Sequence, residues 1–145
     1  QGKSFHHLIR GENYKPRKYV FAEKTNHCLY DPIRCVRTED HKLILNFENN
    51  AEPEVPSDIT DGETYKAMVN RLRNTRQRLE LYDMKKDRWE KNNVVGDQEY
   101  SQIKTKLLKK LISWMEKTKD PLLQAPVPSP HYMKTLEFIQ TIKNI

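Results

Sequence analysis

The chain predicts an α+β fold: a small four-stranded antiparallel sheet packed by a long C-terminal helix, with short flanking helices. Three observations carry this. Residues 33–38 and 41–47 read as two strands separated only by Glu39-Asp40, the pattern of an antiparallel hairpin. Residues 79–84 form another short run of strand character, followed by a polar turn over 85–93. From Asp97 onward, Tyr100, Ile103, Leu107, Leu111, Trp114 and Met115 recur at three- and four-residue spacing, the apolar stripe of an amphipathic helix.

The elements follow in order. Ser4 caps a short helix whose Phe5, Leu8 and Ile9 share a face, and Gly11 stops it. Pro16 precedes a strand over 18–23 that ends in the polar cluster Thr25-Asn26-His27. Pro32 opens the first hairpin strand. On it Ile33, Cys35 and Arg37 face one way, and Arg34, Val36 and Thr38 the other. Residues 49–62 read as an acidic, Pro- and Asn-rich loop. A helix over 63–76 places Tyr65, Met68, Val69 and Leu72 together. Arg71, Arg73, Arg76 and Arg78 then form a basic edge, solvated or anion-facing. Asp97 is the expected cap of the long helix, Leu108 and Ile112 widen its stripe, and Asp120-Pro121 ends it. Prolines 126, 128 and 130 make a semi-extended arm. A last helix over 131–145 carries Met133, Leu136, Ile139 and Ile142 on one face.

Composition narrows the function. The 145 residues fit one domain, but only 36% are hydrophobic against 32% charged, so the core is thin. Burying the six large side chains of the long helix, at roughly 1.5–3 kcal/mol each, is then expected to dominate stability. No apolar run approaches the ~18 residues of a spanning helix, so no membrane partner is expected. The start, Gln1-Gly2-Lys3-Ser4, reads as a processed chain or a fragment of something longer. The net charge of +6 favours polyanionic partners. The lysines at 104, 106, 109, 110, 117 and 119 nevertheless scatter over a helix surface without interleaved aromatics. No nucleic-acid partner is therefore expected.

The catalytic inventory is short. There is no nucleophile elbow and no helix with metal-ligand spacing. His6 and His7 are adjacent, so on a helix they diverge. Gly2-Lys3-Ser4 lacks the glycines of a phosphate loop. Cys28 and Cys35 fit no zinc motif. They read as two half-buried thiols, with a bridge the alternative if 30–32 turns. The cluster worth watching is Glu23, Thr25 and His27 at the end of the first strand. A carboxylate, a hydroxyl and an imidazole beside Asn26 suit hydroxyl-rich ligands such as sugars; a hydrogen-bonded strand end is the structural alternative.

Several stretches taken together resemble a known family. Residues 20–27 (Val-Phe-Ala-Glu-Lys-Thr-Asn-His) and 31–38 (Asp-Pro-Ile-Arg-Cys-Val-Arg-Thr) are similar to the C-terminal region of sulfatases, above all the N-sulfoglucosamine sulfohydrolase (sulfamidase)-like group. So are residues 80–87 with Glu90, Asn92-Asn93, and 97–100, continued by Trp114-Met115 and 118–122. Gly2-Lys3-Ser4 and residues 8–12 resemble the segment joining the catalytic domain to this one. Arg88 departs from the family, which usually has proline there. The resemblance implies residues 1–16 as a linker from a catalytic domain, 17–123 as the sulfatase C-terminal subdomain and 124–145 as an arm with a terminal helix. It implies a hydrolase of sulfate esters or sulfamates on sulfated glycans, in the alkaline phosphatase superfamily, exported to the periplasm or secreted. Its calcium and formylglycine are expected in the catalytic domain, since the Cys/Ser-x-Pro/Ala-x-Arg motif does not occur here: Cys35 precedes Val36-Arg37-Thr38, and Cys28 precedes Leu29-Tyr30-Asp31. The expected partners are that catalytic domain and a sulfated saccharide, touched by Glu23, Thr25 and His27. Two other readings stand beside it: a stand-alone basic module binding sulfated glycans or other polyanions, and a purely structural scaffold.

Overall fold

A computed structural model describes residues 2–27, 30–48, 55–72 and 76–143. The elements are α1 (His6–Ile9), β1 (Val20–Asn26), β2 (Tyr30–Arg37), β3 (His41–Asn46), α2 (Ser57–Thr60), α3 (Glu63–Leu72), β4 (Leu79–Asp83), α4 (Ser101–Thr118) and α5 (Pro130–Lys143). The four strands form one antiparallel meander in the order β1-β2-β3-β4.

Register explains the core. Phe21 pairs with Val36, Val36 with Leu43, and Leu43 with Leu81, so one row of apolar side chains crosses the whole sheet. Val36, Leu43 and Leu81 are fully buried, as are Leu107, Leu111 and Met115 of α4. Tyr100 and Leu122 complete the buried cluster, and Phe21 stacks on Trp114 with ring centroids 4.9 Å apart. The helical stripe thus closes the sheet face that alternation assigns to Val36. Ile112, expected to widen the stripe, is instead 37% exposed, because it lies on the far side of the helix.

The ends of α4 are set by backbone geometry more than by the expected caps. Asp97 occupies the cap position of a 3-10 turn, Gln98–Tyr100, that leads into α4, yet its side chain makes no capping hydrogen bond. At the other end Lys119 adopts a left-handed conformation (φ 56°). The Lys119 N–H donates to Glu116 O (3.0 Å) and the Asp120 N–H to Met115 O (2.8 Å). This satisfies two carbonyls of the last turn before Pro121 arrives.

Strand boundaries also moved. β1 starts at Val20 and runs on through Thr25 and Asn26, and β2 starts at Tyr30. Pro32, expected at the start, is buried inside β2. It sits where Asp31 and Pro32 oppose the single residue Thr25, a bulge that needs no N–H from proline. The hairpin turn is tied by Thr38, whose N–H donates to His41 O (2.8 Å) and whose Oγ1 accepts from the His41 N–H (3.0 Å). The edge of β4 is covered by the polar turn: the Leu81 N–H donates to Asn93 Oδ1 (2.9 Å) and the Val94 N–H to Leu81 O (2.9 Å). Asp83 accepts from the Lys85 and Lys86 N–H groups and from the Tyr100 hydroxyl.

The 49–62 stretch is not all loop, since α2 lies within it; residues 49–54 lie outside the described residues. The side chains of Val69 and Leu72 also lie outside them. Phe5 at the N-cap of α1, Leu8 and Ile9 within it, and Met133, Leu136, Ile139 and Ile142 of α5 are all at least two-fifths exposed. No helix among the described residues is long and apolar enough to cross a membrane.

Candidate functional site

The site is organised by an arginine on the core face of β2. Alternation puts Arg34 on the same face as Val36, and its side chain is only 3% exposed. A buried guanidinium needs a carboxylate and a partner for each donor. Asp120, just past α4, supplies the carboxylate in a two-pronged pair: Arg34 Nε donates to Oδ2 at 2.5 Å and Nη2 to Oδ1 at 3.1 Å. Nη2 also donates to Thr25 Oγ1 (3.1 Å), and Nη1 to the carbonyls of Lys24 (2.8 Å) and Ile33 (3.0 Å). Burial alone would push the Asp120 carboxyl up. The Arg34 hydrogen bonds and the Leu122 N–H outweigh it and hold the group below the usual carboxylate range.

A second buried carboxylate stands nearby. Asp31 accepts from Arg76 Nη1 at 2.8 Å on both oxygens, and from the Lys24 ammonium. Burial raises its pKa, but the hydrogen bonds and charges of Arg76 and Lys24 bring the net shift downward. Arg76 therefore does not belong to a solvated or anion-facing edge. Its charge is spent inside the chain, because Asp31 is only 5% exposed and requires it. Of the other arginines in that run, Arg73 and the Arg71 side chain lie outside the described residues.

Above the Arg34–Asp120 pair opens a groove of about 740 Å³, lined by Glu23, Thr25, Asn26, Arg34, Trp114 and Asp120 among others. The proline arm forms its far wall and is pinned by the Val127 N–H, which donates to the Tyr30 hydroxyl at 3.1 Å. Glu23 sits opposite Arg34 in the register, with its carboxylate exposed and 3.7 Å from Arg34 Nε. Glu23 and Thr25 thus meet at one guanidinium. His27 follows β1, is exposed and is not among the groove's lining residues.

The groove offers hydrogen-bonding groups. Asp120 is consumed by Arg34; Glu23 presents an acceptor, Thr25 and Asn26 short polar groups, and Trp114 an aromatic wall. Cys35 carries a free thiol whose pKa burial pushes up, which suppresses the reactive thiolate. Cys28 lies outside the described residues. His7 is spent on Glu12 at 2.5 Å. Among the described residues no three His, Cys, Asp or Glu side chains gather as a metal site. The described residues thus offer calcium no cluster of carboxylates, and Cys35, followed by Val36-Arg37-Thr38, lacks the motif for formylglycine.

The sequence signal for Arg34 was its place beside Val36 on the core face: a cation in a buried row demands a carboxylate. Asp120 gave no such signal, since before proline it reads as a helix stop.

No protein-family model matches the chain. An ulvan-active sulfatase of Formosa agariphila is 29% identical over 136 residues, covering 89% of this chain and 27% of that protein. Human N-sulphoglucosamine sulphohydrolase is 27% identical over 123 residues, covering 74% of this chain and 24% of its own length. Both of these relatives of the chain are sulfatases. Solved sulfatase structures share the fold: a Bacteroides thetaiotaomicron protein described as a putative sulfatase (TM-score 0.62, 25% identity, 90% of this chain and 23% of that one) and a 2-O GAG sulfatase (TM-score 0.62, 26% identity, 88% and 22%). The chain spans about a quarter of the length of the sulfatases it matches.

Proposed function

We propose that this chain is the C-terminal segment of a sulfatase that acts on sulfated glycans, not catalytic alone. One observation carries the reading: sulfatase relatives match 89% and 74% of this chain with only 27% and 24% of their own length. The relatives' names point to sulfated saccharides as substrates. In this reading residues 1–16 lead from a catalytic domain, 17–123 form the subdomain, and 124–145 form the arm and terminal helix. The formylglycine and calcium sit in that catalytic domain, and the whole enzyme works in the periplasm or outside the cell.

The Arg34 groove walls the substrate pocket. Glu23 accepts from sugar hydroxyls, Thr25 donates its hydroxyl proton outward while its oxygen accepts from Arg34, and His27 donates to a hydroxyl or sulfate oxygen at the rim. Sulfate release by the full-length protein tests this. Glu23→Gln and His27→Ala should each raise KM about tenfold, the effect of one lost hydrogen bond to a charged group. Unchanged turnover and substrate binding in both variants would refute the contact. The absence of a Cys/Ser-x-Pro/Ala-x-Arg motif from the full-length protein would refute the sulfatase assignment itself.

A further inference from the structure

We propose that the lysine-lined flank of α4 is a second binding site for sulfated polysaccharide, separate from the groove at the end of β1. The choice of polysaccharide rests on the sulfatase reading; the site itself rests on the geometry of α4.

α4 carries five lysines and one acidic residue, Glu116. Four of these lysines do not scatter as expected: at about 100° per residue, Lys106, Lys109, Lys110 and Lys117 fall within an arc of about 100°, and Lys106 and Lys117 are about 16 Å apart along the axis. This stripe flanks the apolar one and borders a groove of about 660 Å³ whose other wall is Tyr19. Lys106, Lys109 and Lys110 all line it, as do the neutral donors Gln102 and Ser113. Lys110 Nζ lies 5.2 Å from the centre of the Tyr19 ring. Tyr19 is shared with a smaller cleft of about 380 Å³ that Lys117 and Arg17 line, so the basic surface continues along the helix.

These ammoniums are not spent internally. Among the described residues no carboxylate pairs with Lys106, Lys109 or Lys110. Glu99, near the start of α4, is taken by Lys86 at 3.1 Å, and Lys104 donates to the Val95 carbonyl at 2.9 Å. Such a stripe takes a ligand bearing several anions in a row. Tyr19, held by Lys110, is the one aromatic lining the larger groove, and in the neighbouring cleft Phe21 and Trp114 stack on each other, so the surface gives no run of stacking platforms for bases, which favours a saccharide over single-stranded nucleic acid. A polymer held here stays close to the β1 groove, which raises its effective concentration at that pocket.

Heparin affinity of the full chain is the test, measured against salt, with neutral dextran and single-stranded DNA as comparison probes. The triple variant Lys106→Gln, Lys109→Gln, Lys110→Gln should bind heparin at least tenfold more weakly. The slope of log affinity against log salt should fall by about 2, the share of three released counterions. A charge-matched control, Lys91→Gln, Lys134→Gln, Lys143→Gln, should bind like the parent. Equal losses in the two triples, no heparin binding by the parent, or DNA held as tightly as heparin would each overturn the proposal. Sulfate release from a sulfated monosaccharide by the full-length protein should be unaffected by the groove triple. Heparin binding thus reports on the stripe and monosaccharide turnover on the sulfatase reading, so either fails without the other.

Discussion

Asp120→Ala should be among the most damaging single changes in this protein. The carboxylate accepts three hydrogen bonds: Arg34 Nε at 2.5 Å, Arg34 Nη2 at 3.1 Å and the Leu122 N–H at 3.1 Å. Removing it leaves a guanidinium that is 3% exposed facing carbonyls and a hydroxyl, with the exposed Glu23 carboxylate, 3.7 Å from Nε, as its remaining counter-charge. Stranding a buried charge costs about 3–5 kcal/mol, against the roughly 5–15 kcal/mol that holds a typical domain together. With a urea slope near 2 kcal/mol per molar, the unfolding midpoint should fall by about 2 M at neutral pH. Replacing both partners, Arg34→Met with Asp120→Leu, removes the stranded charge together with its counter-ion. The double variant should therefore be more stable than Asp120→Leu alone by at least about 1 kcal/mol. Urea unfolding followed by circular dichroism and tryptophan fluorescence reads both. A loss below about 1 kcal/mol for Asp120→Ala, or strictly additive effects in the double variant, would refute the claim that the pair is buried and coupled. Asp120→Asn keeps one acceptor oxygen and should fall between parent and alanine variant, so the reasoning stays testable if the latter does not fold.

The same carboxylates set the acid limit. Asp31, Asp83 and Asp120 all have folded pKa values below their ordinary one, so their contribution is complete above the unfolded value of about 3.9 and is lost as pH falls through the folded values. Midpoints in urea should be level from about pH 7 to 5 and then drop steeply below about pH 4; Asp31→Asn should lower the plateau and shallow the drop, and a flat profile down to about pH 2 would contradict the assignment. Lys119→Gly should raise stability by roughly 0.5–1 kcal/mol, because Lys119 holds φ at 56°, where a Cβ is strained; a lower midpoint would show that its side chain contributes more than its backbone costs.

How far the sequence reached depends on the range of the force involved. The stripe Tyr100, Leu107, Leu111, Met115 was legible because helical periodicity is local, and all four are buried. The 33–47 hairpin was legible because two alternating runs enclose a turn too short for any other connection. Pro32 misled, since a strand start is its commonest place and only pairing with β1 shows the bulge that accommodates it. Arg76 misled for a related reason: a run of arginines looks solvated until Asp31, 45 residues away, is seen to need one. Of the three residues named for ligand contact, Glu23 and Thr25 converge on Arg34, while His27 lies beyond the groove's lining.

The sequence by itself determined the kinds of element, the four strands and the apolar face of α4, because alternation and 3.6-residue periodicity express burial within a few residues. The tertiary structure alone decided where the charges go. Arg34 and Asp120 are 86 positions apart and meet only because α4 crosses the sheet and stops, at a left-handed Lys119, over the end of β2. A buried charge must find its counter-charge wherever the fold brings one, and nothing local to Arg34 or Asp120 records which partner that is. The groove above that pair is a consequence of the crossing, and so is the flank of lysines that α4 leaves facing out.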